Sequence, residues 1–242
     1  MRAYIRKNSD NEIASHNFYA AFDGFKQMGF EIHYFETVSE LFGNQKEDIV
    51  VGYVNEVRKA LFKHNIITPE MDYPEELEGY LGRKIWTSKL SAIANNPDSW
   101  NIFIKPIEDK KFTGVVVRGT KDLVGCGTYG EDPDILCSEV VHFVTEWRCF
   151  VRYGEILDIR RYKGDWRMHF DYKVVEKAVA QFTSAPKGYA IDFGLTDKGE
   201  TLLIEVNDGY ALGHYGLFSV DYAKLLMARW AELTDTRDEC DF

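Results

Sequence analysis

Two carboxylates and an amide stand close together in the segment YAIDFGLTDKGETLLIEVNDG, residues 189–209: Asp192, Glu205 and Asn207. Residues two apart on a strand share a face, so Glu205 and Asn207 point the same way. A hairpin turning on Asp197-Lys198-Gly199 sets Asp192 opposite or nearly opposite Glu205. Three oxygen donors without His or Cys suit a hard cation that also binds phosphate oxygens, namely magnesium. A solvated sheet face is the commoner fate of alternating acids. Here Ile191, Phe193, Leu203, Ile204 and Val206 mark the strand pair as buried, and buried acids need a counter-charge. Converging carboxylates also repel, so neutralising one is expected to leave the fold intact or to stabilise it.

Basic groups that could meet phosphate come earlier. Lys105 ends the apolar run NIFIKP, and Lys111 opens KFTG just after it. A lysine at the end of a buried strand can act on a phosphate as a point charge, and a loop closed by glycine can lend its backbone N–H groups. Taken alone, both read as surface lysines in the run Lys110-Lys111. The segment SEVVHFVTEWRCFVRYGEILDIRRY carries Glu139, Glu146, Arg148, Arg152, Arg160 and Arg161. Arg148, Phe150 and Arg152 share one face, and arginines among Val, Ile, Phe and Cys need anionic partners. These are acids of the protein or a nucleotide's phosphates; for Arg152 and Arg161 a cross-strand ion-pair ladder is the preferred reading.

The elements that must position these groups follow from apolar spacing. Residues 2–6, 31–35 and 49–51 read as strands; 14–28, with Phe18, Phe22, Phe25 and Met28 on one stripe, and 54–63 read as helices. This is a small α/β domain over residues 1–81, closed by the Pro-, Glu- and Gly-rich stretch 69–82. Closely spaced strands follow at 101–105, 113–117, 139–141, 147–153 and 156–162, then a helix at 172–182, the hairpin 190–195 with 201–206, and a helix at 221–233. The second part is therefore α+β over residues 82–242, dividing at about 138/139.

The order of these features resembles the ATP-grasp superfamily, and within it the divergent R2K clade, named for one arginine and two lysines. The carriers are IKP with KFTG, EWRCFVR with the downstream IRRY, and AIDFG with IEVND, spanning about residues 82–220. The resemblance implies two α+β subdomains clamping ATP, preceded by a small α/β domain. It implies phosphate contacts from Lys105 and Lys111, a hinge at Glu139, Val140 and Val141 whose backbone reads the adenine edge, Arg148 in the nucleotide site, and Mg2+ on Asp192, Glu205 and Asn207. The phosphate loop KKFTG is less glycine-rich than in many members.

The implied activity is that of an ATP-dependent carboxylate–amine ligase. A carboxylate is activated as an acyl-phosphate, an amine attacks it, and ADP and phosphate leave. Positioning and charge neutralisation carry such a reaction, without a covalent side-chain nucleophile. The acceptor is a small molecule, an amino acid, or a peptide or protein, its carboxylate caught by Arg160, Arg161 or Lys163. An assembly factor that binds ATP with little turnover, as one member of the clade suggests, and a phosphotransferase are the alternatives.

Composition narrows the setting. A net charge of -10 over 242 residues repels nucleic acid and anionic lipid, so neither is an expected partner. No apolar run reaches the length of a membrane span, and the amino-terminal segment lacks an apolar signal core. Cys126, Cys137, Cys149 and Cys240 show no C-x-x-C spacing, which points to reduced thiols and a cytoplasmic location. Gly125 to Gly130 matches G-x-G-x-x-G, but Glu131-Asp132-Pro133-Asp134 follows where a helix would have to start, so a turn between strands is expected. His214 lies near the acid cluster and reads as structural.

Overall fold

The computed structural model describes residues 1–41, 43–107, 111–127 and 130–242. It separates into two units: Met1–Tyr80 with Val144–Phe242, and Leu81–Phe143.

The larger unit holds two sheets. Strands β1 (Arg2–Arg6), β2 (Glu31–Phe35) and β3 (Ile49–Val51) pair in parallel in the order β2-β1-β3. The central strand buries Ala3, Tyr4 and Ile5, as expected of a strand covered on both faces. Helix α1 (His16–Gln27) is capped by Ser15, whose hydroxyl accepts from the Asn17 N–H. Of its apolar stripe, Phe18 and Phe25 are buried, while Phe22 and Met28 are only partly covered. Helix α2 (Val54–Phe62) follows β3 and buries Val57, Ala60 and Leu61.

The second sheet is antiparallel, in the order β11-β10-β8-β9. It consists of β8 (Phe143–Arg152), β9 (Glu155–Gly164), β10 (Gly188–Thr196) and β11 (Thr201–Asp208). Every residue of β10 is buried. The β8–β9 hairpin turns on Tyr153 and Gly154, both at positive φ, the backbone a two-residue hairpin requires. Helix α4 (Tyr172–Gln181) and the last helix, α5 (Ser219–Thr234), complete the unit, with α3 in the smaller one. Helix α1 lies so close to α5 that a side chain on Gly24 would meet the Ser219 carbonyl at 2.1 Å. One apolar core runs from Ala3 through Phe150 and Tyr222 to Cys240, joining the amino-terminal sheet to α5. The stretch 69–82 holds a short 3-10 segment, Glu75–Tyr80, and its Asp72 carbonyl accepts from the Val206 N–H, covering part of β11.

The smaller unit is a four-stranded antiparallel sheet, β4-β7-β5-β6. Its strands are β4 (Ile85–Lys89), β5 (Ile102–Pro106), β6 (Val115–Val117) and β7 (Asp134–Glu139), with α3 (Leu90–Ala94) after β4. Ile104, Val117, Ile135 and Cys137 form its core with Leu90 and Ile93. One sequence expectation changes here, and two elements are new. The strand expected at 139–141 runs from Asp134 to Glu139 and stops where its cross-strand partners run out: Glu139 pairs with Ile102, at the start of β5. Strand β4 and helix α3 were not legible, since IWTSK has neither alternation nor a continuous apolar run. In the glycine motif, residues 128 and 129 lie outside the described residues.

Among the described residues, no helix is long and apolar enough to cross a membrane.

Candidate functional site

Asp192 stands directly opposite Glu205 in the β10–β11 register. The register slips just after this pair, so that Phe193 faces Leu203 and Ile204 is the extra residue of a bulge. A bulge bends a strand and re-aims its side chains. Glu205 and Asn207 share the face of β11 on this side of the bulge, and both are half-buried. Asp192 is only 2% exposed.

The counter-charge that such burial demands comes from β8. Arg148 donates from Nε to Asp192 Oδ1 at 2.8 Å and from Nη2 to Oδ2 at 2.7 Å. This two-bond fork is the strong form of an arginine–carboxylate contact. Asn207 Nδ2 donates to Asp192 Oδ2 at 3.3 Å, which turns the amide oxygen away from the acid. Arg148 also donates to the Gly213 carbonyl at 3.4 Å, and its guanidinium lies over the Tyr215 ring, 4.8 Å from the centroid. Tyr215 stacks in turn on Tyr162 at 4.9 Å.

Burial pushes the Asp192 carboxyl up, against the downward pull of Arg148. Burial acts to lower Arg148, but the hydrogen bonds and charge of Asp192 outweigh it and hold the guanidinium charged. The expectation that neutralising Asp192 leaves the fold intact or stabilises it is therefore corrected: the acid faces a buried cation as well as Glu205, and losing it strands that cation.

The two neighbouring arginines part company. Arg160 stands directly opposite Arg148, so both lie on the acid-bearing face. Like charges in such a pair repel. The sheet resolves this by giving Arg148 to Asp192 and Arg160 to Asp158, at 2.5 Å. Arg160 Nε is buried and lacks a hydrogen-bond partner. Arg161 stands opposite Trp147, on the other face; it is exposed and donates to the Gly164 carbonyl. Arg152 pairs with Asp238 at 2.7 Å, a structural ion pair near the carboxyl terminus. Lys163 bonds Glu146.

In the smaller unit, Lys105 lies on β5 opposite Leu136, and Lys111 pairs with Glu131 at 2.9 Å. Glu139 ends β7; its N–H donates to the Lys84 carbonyl and its carboxylate accepts from the Lys84 N–H. Val140 and Val141 follow outside any strand, half-buried.

Sequence reasoning missed Tyr162 and Tyr215. Tyr162 adjoins the slip between Glu146 and Trp147, where simple alternation fails, and Tyr215 sits in a loop with no periodicity to place it. His214, expected to be structural, uses its N–H to bind Asn17 of α1, and its Nδ1 accepts from the Gly216 N–H.

The donor set can be tested against magnesium. Glu205 and the Asn207 amide oxygen are hard oxygen donors on one face, which fits. Asp192 spends both oxygens on Arg148, and among the described residues no cluster of three or more His, Cys, Asp or Glu side chains is arranged for a metal. The four cysteines are buried thiols; burial pushes Cys137 up to about 11 and Cys149 and Cys240 up to about 12, so none is a ready nucleophile at neutral pH.

The mixed helix-and-sheet architecture is that of an ATP-grasp domain. The chain belongs more narrowly to R2K clade family 2, whose model matches residues 80–225. No curated protein matches the chain significantly. Among solved structures it is similar to D-alanine–D-alanine ligase from Bacillus anthracis complexed with ATP, at 15% identity over 97% of this chain and 96% of that one, TM-score 0.59. It is also similar to L-amino acid ligase from Bacillus licheniformis (13% identity, 100% and 77% covered, TM-score 0.57). A third is the macrocyclase MdnC from Microcystis aeruginosa MRC, bound with precursor peptide MdnA (14%, 93% and 99%, TM-score 0.51). Identities this low show the shared fold.

Proposed function

We propose that this protein binds ATP with magnesium and joins a carboxylate to an amine, the acceptor being an amino acid or a peptide, with ADP and phosphate as products. The observation that carries the reading is the Arg148–Asp192 fork flanked by Glu205 and Asn207 in a chain of the R2K family. It is supported by the structural neighbours, which include two amino-acid ligases and a macrocyclase bound to a peptide.

Glu205 and Asn207 would hold the magnesium, with Asp192 behind them bracing both Asn207 and Arg148. The metal, when bound, supplies charge neutralisation for the phosphates. Arg148 adds a cation that is already oriented, so little reorganisation accompanies the reaction. We assign the phosphate contacts to Lys105 and Lys111 and the adenine-edge contacts to the backbone of Glu139, Val140 and Val141. Arg160, opposite Arg148 on the same face and part-exposed, is assigned to the acceptor's carboxylate. The absence of a ready thiolate agrees with chemistry run by positioning.

The test is hydroxylamine trapping with a panel of amino acids and peptides in the presence of ATP and magnesium. A trapped hydroxamate with ADP and phosphate supports the ligase. AMP among the products, or MgATP binding without turnover for any acceptor, overturns it.

A further inference from the structure

Tyr215 and Gly216 occupy the middle of a turn closed by the Leu217 N–H on the His214 carbonyl at 2.8 Å. Both central residues have positive φ, 41° and 89°. Such turns belong to Gly, Asn and Asp, and a tyrosine there carries backbone strain. Burial does not explain the tyrosine, because the residue is still 47% exposed. The turn is nonetheless heavily braced. His214 ties it to α1 through Asn17 and to Gly216 through Nδ1. Leu212 and Leu217 anchor its two ends in the core, and Tyr222 donates to the Leu212 carbonyl at 2.7 Å. What the strained geometry achieves is contact: one ring lies on the Arg148 guanidinium and stacks on Tyr162.

We propose that Tyr215 is a positioning residue for Arg148, its strained turn laying the ring on the guanidinium so that the fork stays seated on Asp192. This rests on the assignment of Arg148 to the nucleotide site. The physical logic is that an arginine bound at its edge by an acid can still pivot about that edge, and a ring on its face removes the pivot at low entropic cost. Gly213 is part of the same arrangement, since its carbonyl takes the third guanidinium nitrogen and the nearest Arg148 atom lies 3.6 Å from where its Cβ would be.

The test uses the full chain and three variants, Tyr215→Gly, Tyr215→Ala and Tyr215→Phe. The primary readout is hydrogen exchange at the Arg148 Nε–H, followed by nuclear magnetic resonance without nucleotide. Tyr215→Gly and Tyr215→Ala should speed exchange about tenfold, between the sizes of an exposed and a desolvated cation–π contact, and Tyr215→Phe should restore the slow rate. Tyr215→Gly should also melt no lower than wild type, because glycine accepts the positive φ without strain. A gain in Arg148 mobility without loss of melting temperature is what a merely structural tyrosine does not produce. Slow exchange retained in Tyr215→Gly overturns the proposal. MgATP affinity, measured in parallel, should weaken in Tyr215→Gly and Tyr215→Ala. A wild-type protein that does not bind MgATP would sink the nucleotide reading, while exchange at Arg148 still decides the role of Tyr215.

Discussion

Arg148 and Asp192 hold each other through two parallel hydrogen bonds, with the arginine side chain 7% and the aspartate side chain 3% exposed. A pair this deep is unforgiving of half-removal. Arg148→Ala and Asp192→Asn should each lower unfolding free energy by roughly 3–5 kcal/mol, because each strands a buried partner. The double variant Arg148→Ala with Asp192→Asn should lose less than the two single changes summed. Denaturant unfolding of the four proteins measures the coupling, and strict additivity would mean that the fork contributes nothing.

Glu205 and Asn207 carry the opposite expectation. Both are half-buried. Glu205→Gln and Asn207→Ala should reduce magnesium-dependent nucleotide affinity on the order of 10–100-fold, while melting temperature in the absence of nucleotide stays near wild type. Calorimetry with ATP at fixed millimolar magnesium reads the first effect. Unchanged affinity in both variants removes the cation from this face.

Arg160 and Arg161 are adjacent in sequence and opposite in orientation. Arg160→Ala should depress acceptor-stimulated ADP release more than MgATP affinity, and Arg161→Ala should change neither appreciably. Steady-state assays on the two variants separate them, and equal losses would mean that face orientation does not govern acceptor capture.

Much of this cluster was readable from residue spacing alone. Period-two alternation set Glu205 and Asn207 on one face, and the Asp197-Lys198-Gly199 turn placed Asp192 across from Glu205. The apolar residues around Arg148 signalled a buried arginine. What alternation could not supply was partnership: nothing in EWRCFVR says that Arg148 meets Asp192 rather than a phosphate, since that depends on β10 lying next to β8. Irregular pairing also hid Tyr162, which adjoins the slip after Glu146. Strand β4 escaped for a different reason: Trp86, Thr87 and Lys89 are exposed, so its residues were never under strong pressure to alternate.

Glu76 gives the fold a pH-sensitive tie. Its carboxylate accepts from the N–H and hydroxyl groups of both Thr183 and Ser184. Bonds from Ser184 and then Thr183 hold it below the usual glutamate value. The unfolded chain therefore binds this proton more readily than the folded one. The stabilisation is fully present above the unfolded value of about 4.3 and is lost as pH falls through the lower folded value. The melting-temperature gap between wild type and Glu76→Gln should be widest near neutral pH and close in acid. A constant gap across that range would show that the carboxylate's charge is irrelevant.

The seam between α1 and α5, where Gly24 meets the Ser219 carbonyl without a side chain between them, sets a timetable for the chain during its synthesis. Helix α1 leaves the ribosome long before its packing partner exists. At about 5–20 residues per second, the gap between Gln27 and Ser219 amounts to roughly ten to forty seconds. Through that interval the nascent chain presents the part of α1 that α5 will cover, and only the arrival of the last helix closes it. The amino-terminal helix is thus covered only once residues 219–234 have been translated, so a nascent chain halted before Ser219 should be a substrate for chaperones rather than a folded amino-terminal half.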